Sequence, residues 1–149
     1  MSAVKTLEKE LAAMTKNPAP GISAAPVGGN FLEWEGSITG PDDSPYAGGV
    51  FFLRLLFTSD YPFRPPTVRF STKIYHPNID PESGHICLDI LEDEWFPALK
   101  IEKILLSIMA LLTSPNAEVS LIKEAGALYL KNRDMYNTAA AEWTKRYAW

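Results

Sequence analysis

From Phe31 to Thr39 the chain reads FLEWEGSIT, where Leu32, Trp34, Gly36 and Ile38 alternate with Glu33, Glu35, Ser37 and Thr39. Alternation with period two predicts a strand with one face buried and the other wet. Two more strands are predicted: VFFLRLLF, Val50 to Phe57, nearly all apolar and so read as central, and the short TVRFS. GPDDSPYAGG and SDYPFRPP lie between these runs, and their Gly, Pro and Asp content marks them as loops. Short loops between successive strands favour an antiparallel meander.

The apolar face of such a sheet must be covered. Ala3 to Lys16 predicts a first helix, with Val4, Leu7, Leu11 and Met14 as its apolar stripe and Lys5, Lys9 and Lys16 opposite. NPAPG ends it, because proline cannot continue a helix. Ile101, Ile104, Leu105, Ile108, Met109 and Leu112 follow helical spacing, and Leu106 and Leu111 widen the arc. A helix this apolar is expected to be buried against the sheet. After SPNAEVS come two further predicted helices, Leu121 to Leu130 and Arg133 to Tyr147. The second carries Tyr136, Ala140, Trp143 and Tyr147 on one face, with Asn132 as a candidate cap. The order of elements predicts an α+β fold. A chain of 149 residues without repeats or linkers is most simply one domain, residues 1–149.

A net charge of −4 argues against non-specific nucleic-acid binding. The single cysteine, Cys87, cannot form an internal disulfide, so a reducing compartment is expected. MSAVKTLEKELAAMTKN is amphipathic and unlike a signal peptide, and no segment reaches membrane-spanning length. The expectation is a soluble intracellular protein.

Cys87 lies in YHPNIDPESGHICLDIL, Tyr75 to Leu91, with both histidines and the turn residues Pro77, Asn78, Pro81, Ser83 and Gly84. An inert core thiol is the first reading, but burying so many turn residues would strand backbone polar groups. A metal site would need His76, His85, Cys87 and Asp89 to converge, and their spacing resembles no paired Cys/His knuckle. A cysteine hydrolase needs an oriented histidine at the thiol, for which His76 and His85 are the candidates. Acyl carriage needs an accessible cysteine, an oxyanion donor and no well-placed water-activating base. Asn78 offers a neutral amide donor, and asparagine also readily ties up a turn.

YHPNI followed by GHICLDIL resembles the His-Pro-Asn turn and catalytic cysteine strand of ubiquitin-conjugating enzymes. GPDDSPYAGGVF, YPFRPP, Trp95 to Leu99, LLTSPN and EWTKRYA follow in that family's order, so the resemblance covers nearly the whole chain. The chain looks most like the short, single-domain members that work broadly with RING-type ligases. The resemblance implies a four-stranded antiparallel sheet with an N-terminal helix, a central buried helix and two C-terminal helices. It implies that Cys87 takes ubiquitin from an activating enzyme as a thioester and passes it to a substrate lysine, or to the cysteine of a HECT-type ligase. ATP is consumed by the activating enzyme, so no cofactor and no metal are expected here.

By the same resemblance, Asn78 supports the oxyanion and the loop around the cysteine, and His76 and Pro77 build the turn. Asp89 is associated with lysine reactivity. Phe63, Pro97 and Ala98 match ligase contacts, Lys5 and Lys9 the activating-enzyme surface, and Ser23 a back-face site where some members bind a second ubiquitin. Three positions depart from the pattern: IDPESGHIC is one residue longer, Phe96 replaces a small polar residue, and Val119 stands where the gating loop often has an acid. Glu118, one residue earlier, becomes the candidate proton acceptor. The implied protein is a eukaryotic monomer of the cytoplasm and nucleus, binding neither nucleic acid nor membrane. A ubiquitin-like modifier is the other implied cargo. A variant that presents ubiquitin without chemistry would lack the cysteine.

Overall fold

The structure is a computed structural model that describes residues 2–149. Helix α1 spans Ala3–Lys16, and the Ser2 side chain accepts from the Lys5 N–H at its start. Strands β1 (Ile22–Val27), β2 (Asn30–Thr39), β3 (Val50–Leu56) and β4 (Thr67–Phe70) follow, then helices α2 (Ile101–Thr113), α3 (Lys123–Lys131) and α4 (Arg133–Tyr147). The sheet is an antiparallel meander in the order β1-β2-β3-β4, as predicted.

Trp34, Gly36 and Ile38 of β2 are buried, so the period-two reading identifies the inward face correctly. In β3 only Phe51, Leu53 and Leu55 are buried. Phe52 and Leu56 share their parity with Arg54 and are exposed on the outer face, so this central strand is not buried on both sides. Helix α2 closes the inner face with Ile101, Ile104, Leu105, Ile108, Leu111 and Leu112, all buried. Leu105 approaches so closely that a Cβ on Gly36 would lie 3.3 Å from it.

One helix face and one boundary differ from the sequence expectation. On α1, Leu7 is buried and Leu11 and Met14 pack against the core as expected, but Val4 is exposed and Ala3 and Glu10 are buried as well. Helix α3 starts at Lys123 rather than Leu121, because the N–H groups of Leu121 and Ile122 both donate to the Pro77 carbonyl. Asn132 ends α3 and caps α4, accepting from Met135 N–H at 3.3 Å.

Candidate active site

Between β4 and α2 the chain runs without regular strands, held by isolated bridges that pair Arg69 with His85, and Ile79 with both His76 and Ile86. Cys87 therefore follows a bridge instead of lying on a strand. The turn from His76 to Ile79 is buried, against the expectation that so polar a loop would stay at the surface. Its polar groups are instead paired internally. His76 is 1% exposed, and its Nδ1 accepts the Asn78 N–H at 3.0 Å. Nδ1 is thus unprotonated, and Nε2 donates to the Leu111 carbonyl at 2.9 Å. Burial drops the His76 pKa to about 4, with the Leu111 carbonyl pulling the other way. With both ring nitrogens committed, His76 cannot serve Cys87 as a base, which removes one of the two candidate histidines of a hydrolase.

Asn78, also 1% exposed, uses its whole side-chain amide. Nδ2 donates to the carbonyls of Asn116 and Val119, each at 2.9 Å, and Oδ1 accepts the Asn116 N–H at 2.9 Å. These three bonds stitch the loop after α2 to the turn, and the two bonds to the Pro77 carbonyl continue the seam. The loop contains a 3-10 turn, Ala117–Val119, and packs so tightly on α3 that a Cβ on Gly126 would lie 2.0 Å from Ser120 Oγ. Glu118 and Val119 are exposed on it, Val119 at 57%. The Asn78 side chain thus holds the loop after α2, whereas the sequence expectation had it supporting the loop around the cysteine. As an oxyanion donor it would first have to release one of two bonds already made.

Cys87 is half-buried, and its N–H donates to the Asn78 carbonyl at 2.8 Å. The segment before it is drawn onto β4: Phe70 N–H donates to the Gly84 carbonyl at 2.9 Å. A Cβ on Gly84 would lie 2.0 Å from the Phe70 carbonyl, and its φ is +76°, so only glycine fits. The Asp80 carboxylate accepts the Glu82 N–H, which holds its pKa below the usual value and fixes the extended loop. Asp89, two residues past the thiol, is exposed and opens a short 3-10 turn, Asp89–Leu91. Among the described residues no three His, Cys, Asp or Glu side chains gather as metal ligands.

The remaining candidates lie elsewhere on the surface. Phe63 is 76% exposed, and Phe96 (52%), Pro97 and Ala98 are exposed on a second loop. Trp95 Nε1 donates to the Pro62 carbonyl at 2.9 Å and binds these two loops together. Lys5 and Lys9 are exposed on α1. Ser23 is exposed on β1, its hydroxyl 2.6 Å from that of Ser37, on the sheet face away from α2.

Sequence reasoning missed two buried links. Tyr46, in the loop between β2 and β3, donates its hydroxyl to the Tyr75 carbonyl and meets the Tyr136 hydroxyl, tying α4 to the residue before His76. Glu10 binds Tyr61 and Ile101 from α1. A carboxylate three residues beyond Leu7 and seven beyond Ala3 lies on the inward stripe, and that periodicity was the available signal.

An internally paired turn thus fixes a half-buried thiol on an antiparallel meander. The ubiquitin-conjugating enzyme family model matches residues 6–144, and the chain belongs to that family. Among solved structures it is similar to the E2 domain of a Toxoplasma gondii ubiquitin conjugating enzyme, with a TM-score of 0.90 and 42% identity. That similarity covers 97% of this chain and 98% of the other. Membership makes the chain a transferase of ubiquitin conjugation, a family that works with ubiquitin, an activating enzyme and ligases.

Proposed function

We propose that Cys87 carries ubiquitin as a thioester. The observation that carries this reading is the half-buried Cys87 whose N–H is pinned to the carbonyl of the buried Asn78. The backbone beside the thiol is thereby held in place while Cys87 keeps part of its surface exposed. In loading, Cys87 Sγ attacks the carbonyl carbon of the thioester on the activating enzyme. One S–C bond forms, the other breaks, and the activating enzyme's thiolate leaves. In transfer, a lysine amine attacks the new thioester, an N–C bond forms, the amine gives up a proton, and Cys87 leaves as thiolate.

Glu118 and Asp89 are the exposed carboxylates from which that proton's acceptor is drawn, and Glu118 is preferred because Val119 cannot accept one. Asn78 holds the Asn116–Val119 loop in place for this step. Phe63, Pro97 and Ala98 dock RING-type ligases, and HECT-type ligases use the same surface. Lys5 and Lys9 dock the activating enzyme, and Ser23 marks a site for a second ubiquitin. The chain acts as a single-domain monomer in cytoplasm and nucleus, with ATP spent only by the activating enzyme.

The test mixes the protein with activating enzyme, ATP and ubiquitin, and in parallel with ubiquitin-like modifiers. A ubiquitin adduct removed by thiol reductant is expected. Cys87→Ser should give an oxyester that survives reductant and yields to hydroxide, and Cys87→Ala should give nothing. An adduct on the alanine variant, or none on the wild type with any modifier, sinks the reading.

A further inference from the structure

On its buried face α1 presents a carboxylate where a core would normally take an apolar side chain. Glu10 is 7% exposed. Its Oε2 accepts the Tyr61 hydroxyl at 2.6 Å, and its Oε1 accepts the Ile101 N–H at 2.9 Å. These partners belong to two different segments. Tyr61 stands two residues before Phe63, and its ring packs edge-on against Phe57 with centroids 4.8 Å apart. Ile101 is the first residue of α2, three residues after Ala98. Lys100, at the N-cap of α2, makes no side-chain capping bond. Glu10 therefore supplies from another helix the acceptor that the start of α2 lacks, and its charge suits the helix N-terminus.

The Trp95–Pro62 hydrogen bond completes a closed circuit from α1 through the Phe63 loop and the Pro97–Ala98 loop and back to α1. Burial raises the Glu10 carboxyl pKa, while the Ile101 and Tyr61 donors pull it back. Burying a carboxylate costs desolvation, which hydrogen bonds to its oxygens must offset. What the carboxylate adds is direction: two acceptor atoms of fixed separation hold two donors at a fixed spacing. A cleft of about 160 Å³, lined by Thr6, Lys9, Glu10, Ala13, Pro97 and Lys100, lies between α1 and the second loop.

We propose, on the reading that these two loops dock a ligase, that Glu10 is a positioning residue for ligase engagement. Its carboxylate sets the spacing between Phe63 and Pro97–Ala98. Through α1 it ties that spacing to the helix that bears Lys5 and Lys9.

The test compares Glu10→Gln, which can accept from Ile101 and donate to the Tyr61 oxygen, with Glu10→Met, which keeps volume but offers neither bond. Four quantities are read: Cys87 loading, unassisted discharge onto free lysine, discharge against increasing concentrations of a RING domain that stimulates the wild type, and Ile101 amide exchange. Glu10→Gln should match wild type within about twofold throughout, as both bonds persist. Glu10→Met should load and discharge unassisted normally, yet need about tenfold more RING domain for half-maximal stimulation, with faster Ile101 exchange. A wild-type RING titration for Glu10→Met overturns the proposal. So does an equal loss in unassisted and stimulated discharge, which a merely structural residue would give. Should Glu10→Met fail to fold, Tyr61→Phe decides, since it deletes one bond and keeps the ring: a raised RING requirement supports the proposal and an unchanged one overturns it. A wild type that does not load or respond to any RING domain fails at the ligase reading itself, and takes the proposal with it.

Discussion

Acidifying the protein from pH 7 to pH 5 should weaken it through His76. The ring is buried, with Nδ1 facing the Asn78 N–H and Nε2 donating to Leu111. A proton on Nδ1 would set two donors against each other inside the core. The folded-state pKa is accordingly depressed to about 4 from an ordinary 6.5. Between those values the unfolded chain binds a proton that the folded chain refuses, so stability rises with pH across the window and is lost on acidification. At about 1.4 kcal/mol per pH unit, the full window is worth roughly 3 kcal/mol, and the step from pH 7 to pH 5 about 2 kcal/mol. Glu10 works in the opposite sense: its raised pKa means the fold holds a proton the unfolded chain has released, so acidification through that value stabilises. Urea unfolding of wild type and His76→Gln at matched pH separates the two, because Glu10 is common to both. The wild type should be the more stable at pH 7, with the gap narrowing by about 2 kcal/mol at pH 5. His76 ring protons should also hold constant chemical shifts down to pH 5 in the folded protein. A constant gap, or a folded-state His76 titration near 6.5, would refute the reasoning.

Asn78→Ala should cost about 2–3 kcal/mol in urea unfolding, since three part-buried hydrogen bonds of about 1 kcal/mol each are lost, and should slow lysine discharge more than loading. Unchanged stability with slowed discharge would return Asn78 to the oxyanion role. Glu118→Ala should slow discharge onto lysine, leave loading and transfer to a cysteine acceptor intact, and recover as pH rises and hydroxide replaces the base. Equal wild-type and variant rates from pH 7 to 9 would leave Asp89 or desolvation to do the work. Reversing charge at Lys5 and Lys9 together should raise the activating-enzyme concentration needed for loading, a defect that added salt mimics because screening acts over about 10 Å at 0.1 M. Normal loading at low salt would make these lysines ordinary solvated residues.

Strands β2 to β4 of the meander, the covering helix α2 and the cap at Asn132 were legible because each is written in local periodicity or in a single residue's backbone chemistry, whereas β1 came only from the family resemblance. Period two placed Trp34 and Ile38 inward without any knowledge of their partners. Local pattern was less reliable where apolar residues exceed what one face can bury. The run Val50 to Phe57 hid an exposed Phe52 and Leu56, and only the parity of Arg54 could have revealed it. In α1 helical spacing placed Leu7, Leu11 and Met14 on the core side, but it put Val4 there too and missed Ala3 and Glu10.

At the site, the sequence alone named Cys87, the turn residues and the loop that would approach them, and the order of motifs named the family. It could not say that the turn is buried. That depends on acceptors and donors 35 to 41 residues away, the carbonyls of Leu111, Asn116 and Val119, which meet His76 and Asn78 only after α2 has packed on the sheet. The same packing delivers Ile101 to Glu10 across 91 residues of chain. Periodicity records which side of an element faces inward, because that is a property of the element itself. Which carbonyl completes which buried polar group is a property of how elements pack, and tertiary structure alone decides it.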